Sequence, residues 1–270
     1  MTVTRFAPSP TGFLHLGHAY AALMAQRSGT RFLLRIEDLD AARSRPEFAD
    51  AIVEDLSWLG QSWETPLLFQ SQRGAAYDAA LERLTARGLT YPCFCTRAEI
   101  AAEIARAGDA PSGPDGHLYP GTCRHLPEGE RAARKDQSFA LRLDAARAAE
   151  MAGPLSFLEH DEERAVDPLL FSDIVLARKG LPAAYHLAVV VDDAFQGVDL
   201  VTRGEDLLPA THVQRLLQAL LGLPEPAYAH HRLILDNSGR KFSKRDNAAT
   251  LAAMRRAGVT PAEIKSLLEL

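Results

Sequence analysis

Long apolar runs are missing from this chain. Nothing approaches the roughly 18 consecutive apolar residues that a spanning helix needs, and runs such as Leu187–Val191 are strand-sized. Arg5 and two prolines by position 10 leave no room for the apolar core of a signal peptide. Cysteine is scarce. Three of them cannot form a closed disulfide set, so the reducing cytoplasm is the expected compartment and no membrane contact is expected. A basic surplus is also lacking: 30 Lys+Arg against 35 Asp+Glu give a formal charge of −5, unlike a general nucleic-acid binder. Any RNA partner must be met by a local patch. What remains is an ordinary globular composition, 270 residues with 47% hydrophobic and 24% charged, able to bury a core without staples.

The pattern along the chain is α/β. A strand-like run at Val3–Ala7 stops at a Pro/Gly turn, and a helix follows with Leu16, Tyr20, Leu23 and Met24 on one face. The apolar run Arg31–Ile36 then completes a βαβ unit of a parallel sheet. Helices are expected near Pro46–Leu59 and Gln72–Arg87. From Tyr91 the character changes, with three cysteines, a loop rich in Gly, Pro and Ser, and short strands at Phe139–Leu143 and Ser156–Glu159. The α/β rhythm returns with strands at Phe171–Ala177 and Val198–Arg203, and helices at Tyr185–Asp193 and Pro209–Leu221. A strand at Arg232–Leu235 and two short helices close the chain, the second opening with the capping box Thr260-Pro261-Ala262-Glu263. The expected division is residues 1–90 and 169–228 as two halves of one sheet domain, 91–168 as an insertion, and 229–270 as a loop with C-terminal helices.

Gly12 and Gly17 have the spacing of a phosphate-binding P-loop, but His18-Ala19 stand where Lys and Ser or Thr are required, so that reading fails. What remains is His15-x-Gly17-His18 at the mouth of a helix, beside amides that favour anions. One histidine there would be a solvated or capping residue; the pair after Pro8-x-Pro10-x-Gly12 points to a nucleotide instead. Lys241-Phe242-Ser243-Lys244-Arg245, alone a basic surface loop, then gains a role. Displacement at the α-phosphate of ATP builds negative charge that a lysine stabilises in the transition state. Cys93, Cys95 and Cys123 offer three thiolates where a tetrahedral metal site needs four ligands. His117, Tyr119 and His125 are all near Cys123; chemistry alone favours a histidine, and buried free thiols are the bland alternative. His230-His231 cannot easily chelate one ion, because neighbouring strand residues face opposite ways.

The two signatures, Pro8–His18 and Lys241–Arg245, resemble those of class I aminoacyl-tRNA synthetases. Arg5-Phe6-Ala7, Arg35-Ile36-Glu37-Asp38, Tyr185-His186-Leu187-Ala188, Val190-Val191-Asp192-Asp193 and Arg203-Gly204-Glu205-Asp206 narrow the resemblance to the glutamyl-tRNA synthetase catalytic domain. It covers nearly the whole chain. It implies a Rossmann-type parallel-sheet catalytic domain. His15, His18 and Lys244 are implied as catalytic groups, with Gly17, Lys241 and Ser243 completing the ATP site, magnesium accompanying the nucleotide. Arg5, Phe6, Ala7, Pro8, Ser9, Glu37, Tyr185 and Arg203 are implied around L-glutamate. Arginine suits such a substrate, since its fork matches a carboxylate. Glu37, at a strand's carboxyl end, could receive the ammonium.

Only 25 residues follow Arg245, too few for a helical anticodon-binding part. With Cys93-x-Cys95 and Tyr119-x-x-x-Cys123, this resembles the truncated glutamyl-queuosine tRNA(Asp) synthetase branch, which implies one structural zinc held by those four residues. It also implies tRNA-independent glutamate activation and transfer to queuosine in the anticodon loop of tRNA(Asp), by an enzyme expected to be a monomer. The alternatives are a minimal synthetase charging a tRNA 3′ end, an inactive RNA- or partner-binding module, and a nucleotidyltransferase of the H-x-G-H type. Candidates for a basic rim are Arg124, Arg131, Arg134, Lys135, Arg240, Lys241 and Arg245.

Overall fold

A computed structural model of the chain describes residues 1–107, 112–235 and 250–270. Strand β1 (Val3–Phe6) is buried along its length, helix α1 (Leu16–Ser28) follows, and β2 (Arg31–Ile36) pairs parallel with β1 from Val3↔Arg31 to Phe6↔Leu34. This is the expected βαβ unit. A Cβ on Gly29 would lie 2.5 Å from Thr4 Oγ1, so a glycine is what lets the chain turn back this close to β1. Helix α1 is buried more widely than one stripe. Ala19, Ala22 and Ala25 are inside with Tyr20 and Leu23, because both the sheet and the C-terminal segment pack on it.

Helix α2 (Pro46–Trp58) begins with proline in its first turn and buries Ile52 and Leu56 completely. Strand β3 (Glu64–Phe69), which the sequence pattern did not disclose, pairs parallel with β2. Then come α3 (Gly74–Ala86), β4 (Thr90–Cys93), α4 (Arg97–Ala107), the hairpin β5 (Ser112–Gly113) and β6 (Gly116–His117), and α5 (Glu128–Ala133). They are followed by β7 (Ala140–Leu143), α6 (Ala145–Ala152), the antiparallel pair β8 (Ser156–Glu159) and β9 (Glu162–Ala165), and β10 (Val175–Arg178). Strands β10, β7 and β4 form an antiparallel sheet. The strand expected from Phe171 starts only at Val175. Ser172 has φ 51°, and Asp173 turns its carboxylate inward to accept from Ala145 N–H and the Tyr91 hydroxyl.

Helix α7 (Tyr185–Gln196), strand β11 (Leu200–Gly204), helix α8 (Leu208–Leu221) and strand β12 (Ala227–His231) complete the sheet region. Both helices end on a left-handed glycine, Gly197 and Gly222, the first running three residues beyond the expected Asp193. The strand expected at Arg232–Leu235 is a correction: pairing to β11 and β8 uses Ala227–His231, and residues 232–234 lie outside the sheet. Strand order is β11-β12-β8-β9. β11 meets β1 at a seam where Val3 N–H donates to Asp199 Oδ1 (2.8 Å) and Asp199 N–H donates to the Val3 carbonyl (3.2 Å). The chain therefore runs from β1 to β2 and β3 on one side, and to β11 and β12 on the other. Such a reversal opens a crevice beyond the strands' carboxyl ends.

Helices α9 (Leu251–Arg256) and α10 (Pro261–Leu267) end the chain, with the expected Thr260/Glu263 capping box on α10. Thr250 forms a bridge to His15, and Leu251 N–H donates to the Leu14 carbonyl at 2.8 Å. Among the described residues no helix is long and apolar enough to cross a membrane.

Candidate active site

The crevice at the seam holds a cavity of about 430 Å³. The Arg5–Ser9 run, Glu37, Tyr185 and Arg203 all line it, so every residue implied at the amino acid meets in one place. They arrive from the carboxyl ends of β1, β2 and β11 and from the first turn of α7.

The two arginines implied at the substrate differ in their partners. Arg5 is in an internal ion pair: Nε and Nη2 donate to the two carboxylate oxygens of Asp193, at 3.0 and 3.2 Å. Asp193 also accepts from Arg35 Nη1 at 2.7 Å, and Arg35 reaches Glu37 Oε1 at 3.4 Å. Burial opposes charge on Asp193, but Arg5 and Arg35 outweigh it and hold the carboxyl below the usual carboxylate range. Burial pushes Glu37 above that range, with Arg35 and Arg5 opposing. Arg203, 5% exposed, has only neutral partners among the described residues. Its Nε donates to His230 Nε2 (3.0 Å), Nη1 to Gln214 Oε1 (2.8 Å) and Nη2 to Thr211 Oγ1 (2.8 Å), with the Tyr185 hydroxyl 3.4 Å away.

His15, Gly17 and His18 line an adjoining cavity of about 290 Å³, which shares His18, Ala21, Gly204 and Leu207 with the first. The geometry of the histidine pair is that of a helix cap. His15 is the N-cap of α1: Gly17 N–H donates to its Nδ1, and His15 N–H donates to His18 Nδ1, both at 3.2 Å. With Nδ1 accepting, the proton of each neutral ring belongs on Nε2. The ring centroids are 3.8 Å apart with the planes tilted by 36°, and a Cβ on Gly17 would come within 3.1 Å of the His15 ring. Lys241, Ser243, Lys244 and the basic candidates Arg240 and Arg245 lie outside the described residues.

The three thiols lie together, all within 4.8 Å of one another. The Tyr119 hydroxyl is 3.3 Å from Cys93 Sγ and 3.7 Å from Cys95 Sγ, while Cys95 and Cys123 are 3.4 Å apart. His117 and His125 are exposed and do not belong to the cluster. Burial pushes the Cys95 thiol up to about 12, the hydrogen bond with Cys123 adding to the effect and that with Tyr119 opposing it. The cluster is compatible with a metal ion. Of the basic candidates nearby, Arg124 is committed to the buried Asp173 (2.6 Å) and Arg131 donates to the Arg124 carbonyl. Arg134 pairs loosely with Glu130 at 3.6 Å, and Lys135 is exposed.

Four polar residues were given no role from sequence: Arg35, Asp193, Glu159 and His230. Arg35 and Asp193 stood inside quoted motifs, which was the available signal. Glu159 had none. His230 and His231 do face opposite ways, His231 packing on Tyr20 while His230 turns to Glu159 and Arg203.

The whole chain, residues 1–270, matches the family described as tRNA synthetases class I (E and Q), catalytic domain. It belongs to that family, whose members are ATP-dependent ligases. A glutamyl-Q tRNA(Asp) synthetase of Rhodobacter capsulatus is 48% identical over 99% of this chain and 100% of its own. One from Nocardia farcinica is 49% identical over 98% of this chain and 82% of its own. A crystal structure of glutamate-tRNA synthetase from Elizabethkingia anophelis superposes with a TM-score of 0.75 at 30% identity, covering 91% of this chain and 53% of that one. This chain spans about half the length of that synthetase.

Proposed function

We propose that the chain activates L-glutamate with ATP, without needing tRNA, and transfers the glutamate to the queuosine base in the anticodon loop of tRNA(Asp). The observation that carries the amino-acid choice is Arg203, a buried cation with neutral described partners, facing the same cavity as Glu37. In and behind that cavity Arg5, Arg35 and Arg203 face Asp193 and Glu37, an excess of one positive charge. Glutamate, with two carboxylates and one ammonium, carries the complementary −1. The RNA acceptor is supported by the names of the relatives that match nearly end to end.

In this reading Arg203 receives a substrate carboxylate beside the Tyr185 hydroxyl, and Glu37 receives the ammonium. The Arg5–Ser9 run forms the wall against which the amino acid lies. An oxygen of the α-carboxylate attacks the α-phosphorus of magnesium-bound ATP, and the bond to pyrophosphate breaks. The nucleophile is already ionised, so no general base is needed; positioning and charge stabilisation suffice. His15 and His18 supply Nε2–H donors to the phosphates beside the open backbone of Gly17, and the sequence assigns Lys241, Ser243 and Lys244 to the same phosphates. In the second step a hydroxyl oxygen of queuosine's cyclopentene diol attacks the carbonyl carbon. The anhydride bond breaks and AMP departs, its phosphate taking the hydroxyl proton.

Cys93, Cys95, Cys123 and Tyr119 would hold one zinc ion. Sulfur donors at about 2.3 Å in a tetrahedron stand about 3.7 Å apart, and the neighbouring donors here are 3.3 to 3.7 Å apart. Such an ion would cross-link β4 to the loop around Cys123.

Glutamate-dependent ATP–pyrophosphate exchange without tRNA tests the first step, and its absence at high enzyme concentration would sink the proposal. Labelled glutamate should then reach queuosine-containing tRNA(Asp), and neither unmodified tRNA(Asp) nor tRNA(Glu). Charging of tRNA(Glu) instead would establish the minimal 3′-end synthetase.

A further inference from the structure

Arg203 owes its orientation to a residue 27 positions away and, behind it, to one from a different part of the chain. His230 stands on β12 opposite Arg203 on β11, in register, and accepts the Arg203 Nε hydrogen at its Nε2, 3.0 Å away. That geometry requires a lone pair on Nε2 and therefore a proton on Nδ1. Glu159, at the end of β8 and 1% exposed, receives that proton's hydrogen bond at 2.6 Å and accepts the His230 backbone N–H at 2.9 Å. The imidazole is thus held in one tautomer and one orientation. It places a neutral acceptor, not a carboxylate, against a buried guanidinium.

The other partners of Arg203 among the described residues are also neutral: Gln214, Thr211, the Tyr185 hydroxyl and the face of Tyr228, 5.6 Å from the guanidinium carbon. Arg5, which lines the same cavity, is by contrast paired directly to the Asp193 carboxylate. We propose that His230, oriented by Glu159, is a positioning residue for substrate recognition: it aims Arg203 while leaving the guanidinium charge available to a carboxylate of the amino acid. The inference rests on the glutamate reading of the cavity and adds two residues to it.

Two isosteres separate this role from simple packing. The amide of Asn falls near the His Nδ1 position and can still contact Glu159, but cannot reach Arg203. The amide of Gln falls near Nε2 and can accept from Arg203. In exchange assays on the full chain, His230→Asn should raise the KM for glutamate by roughly tenfold or more, the scale of a lost hydrogen bond to a charged group. kcat and the KM for ATP should stay within about threefold, a ratio small against that loss. His230→Gln should recover most of the glutamate KM. Glu159→Gln, whose amide can donate to Nδ1 and force the wrong tautomer, should resemble His230→Asn.

Equal glutamate KM values for the Asn and Gln variants, or a loss falling equally on ATP, would overturn the role. If one variant fails to fold by circular dichroism, Glu159→Gln against the parent carries the same test through the same KM split. A parent enzyme lacking glutamate-dependent exchange would overturn the reading of the cavity and this inference with it. A parent active with glutamate whose variants are unaffected would overturn the inference alone.

Discussion

The arginine–aspartate centre behind the large cavity and the cysteine centre at the end of β4 are both buried polar clusters, held by opposite means. In the first, Asp193 stands between Arg5 and Arg35, so opposite charges satisfy each other within the chain before any ligand arrives. Two strands and a helix supply the parts, and the surrounding cores are large. In the second, three thiols and a phenol converge, and the Arg142 guanidinium lies over the phenol ring at 3.8 Å. Among the described residues the buried cluster is small: Tyr91, Cys93, Tyr119 and Cys123, with Phe94, Cys95, Ile100 and Leu126 packed against it. One centre is preorganised by the fold. The other gathers the donors that the proposed zinc ion would need.

The comparison can be broken experimentally. Asp193→Ala strands two buried guanidinium groups and should cost about 3–5 kcal/mol of stability, read by chemical denaturation. If it costs less than about 1 kcal/mol, the value of an exposed pair, the centre is not internally balanced. Arg203→Gln should leave the melting curve nearly unchanged and lower kcat/KM for glutamate roughly hundredfold, the loss expected when a buried charge pair with a ligand is removed. Cys93→Ser should abolish the one equivalent of zinc proposed for the cluster and expose residues around 97–135 to limited proteolysis. Exchange should fall by no more than a few-fold; collapse of exchange together with the zinc would show that the two centres are not independent.

Acid should separate them as well. The Asp193 carboxyl is held below its usual range, so its contribution is fully present above an unfolded value near 4 and is lost as pH falls through the lower folded value. Metal ligation needs deprotonated thiols, so protons compete for it at milder acidity. Zinc release, followed with a chromogenic chelator, should precede loss of the tertiary signal as pH is lowered. Coincident transitions would remove the distinction. The smallest effect is expected for Tyr119→Phe, which keeps the thiols and should weaken zinc retention by at least about tenfold, the scale of losing even an outer-shell partner.

Much of the cavity was legible because its residues sit in short motifs at strand ends, where backbone pattern and chemistry coincide. Arg5, Glu37 and Arg203 were named through the likeness of their motifs to the synthetase catalytic domain, with which the chemistry of arginine and carboxylate agrees. β3 was not seen: Pro66 interrupts it and none of it is fully buried, so no alternation marks it. The last strand was displaced because Ala227–His231 has no β-branched residue; its place is dictated by β11 and β8 rather than by its own propensity. Glu159 and His230 escaped for the same reason. Their encounter, 71 residues apart, exists only through the pairing of β8 with β12.

That pairing bears on how separable the parts of the molecule are. The register Tyr228↔Glu159 sets which face of β8 the acid occupies. A one-residue slip would turn it to the opposite side of the sheet. A chimaera that grafts a foreign 91–168 segment onto this body could keep every motif residue and still misaim Arg203. Grafting would succeed only with an acid delivered in phase with His230, which makes strand register a compatibility code between the grafted segment and its host.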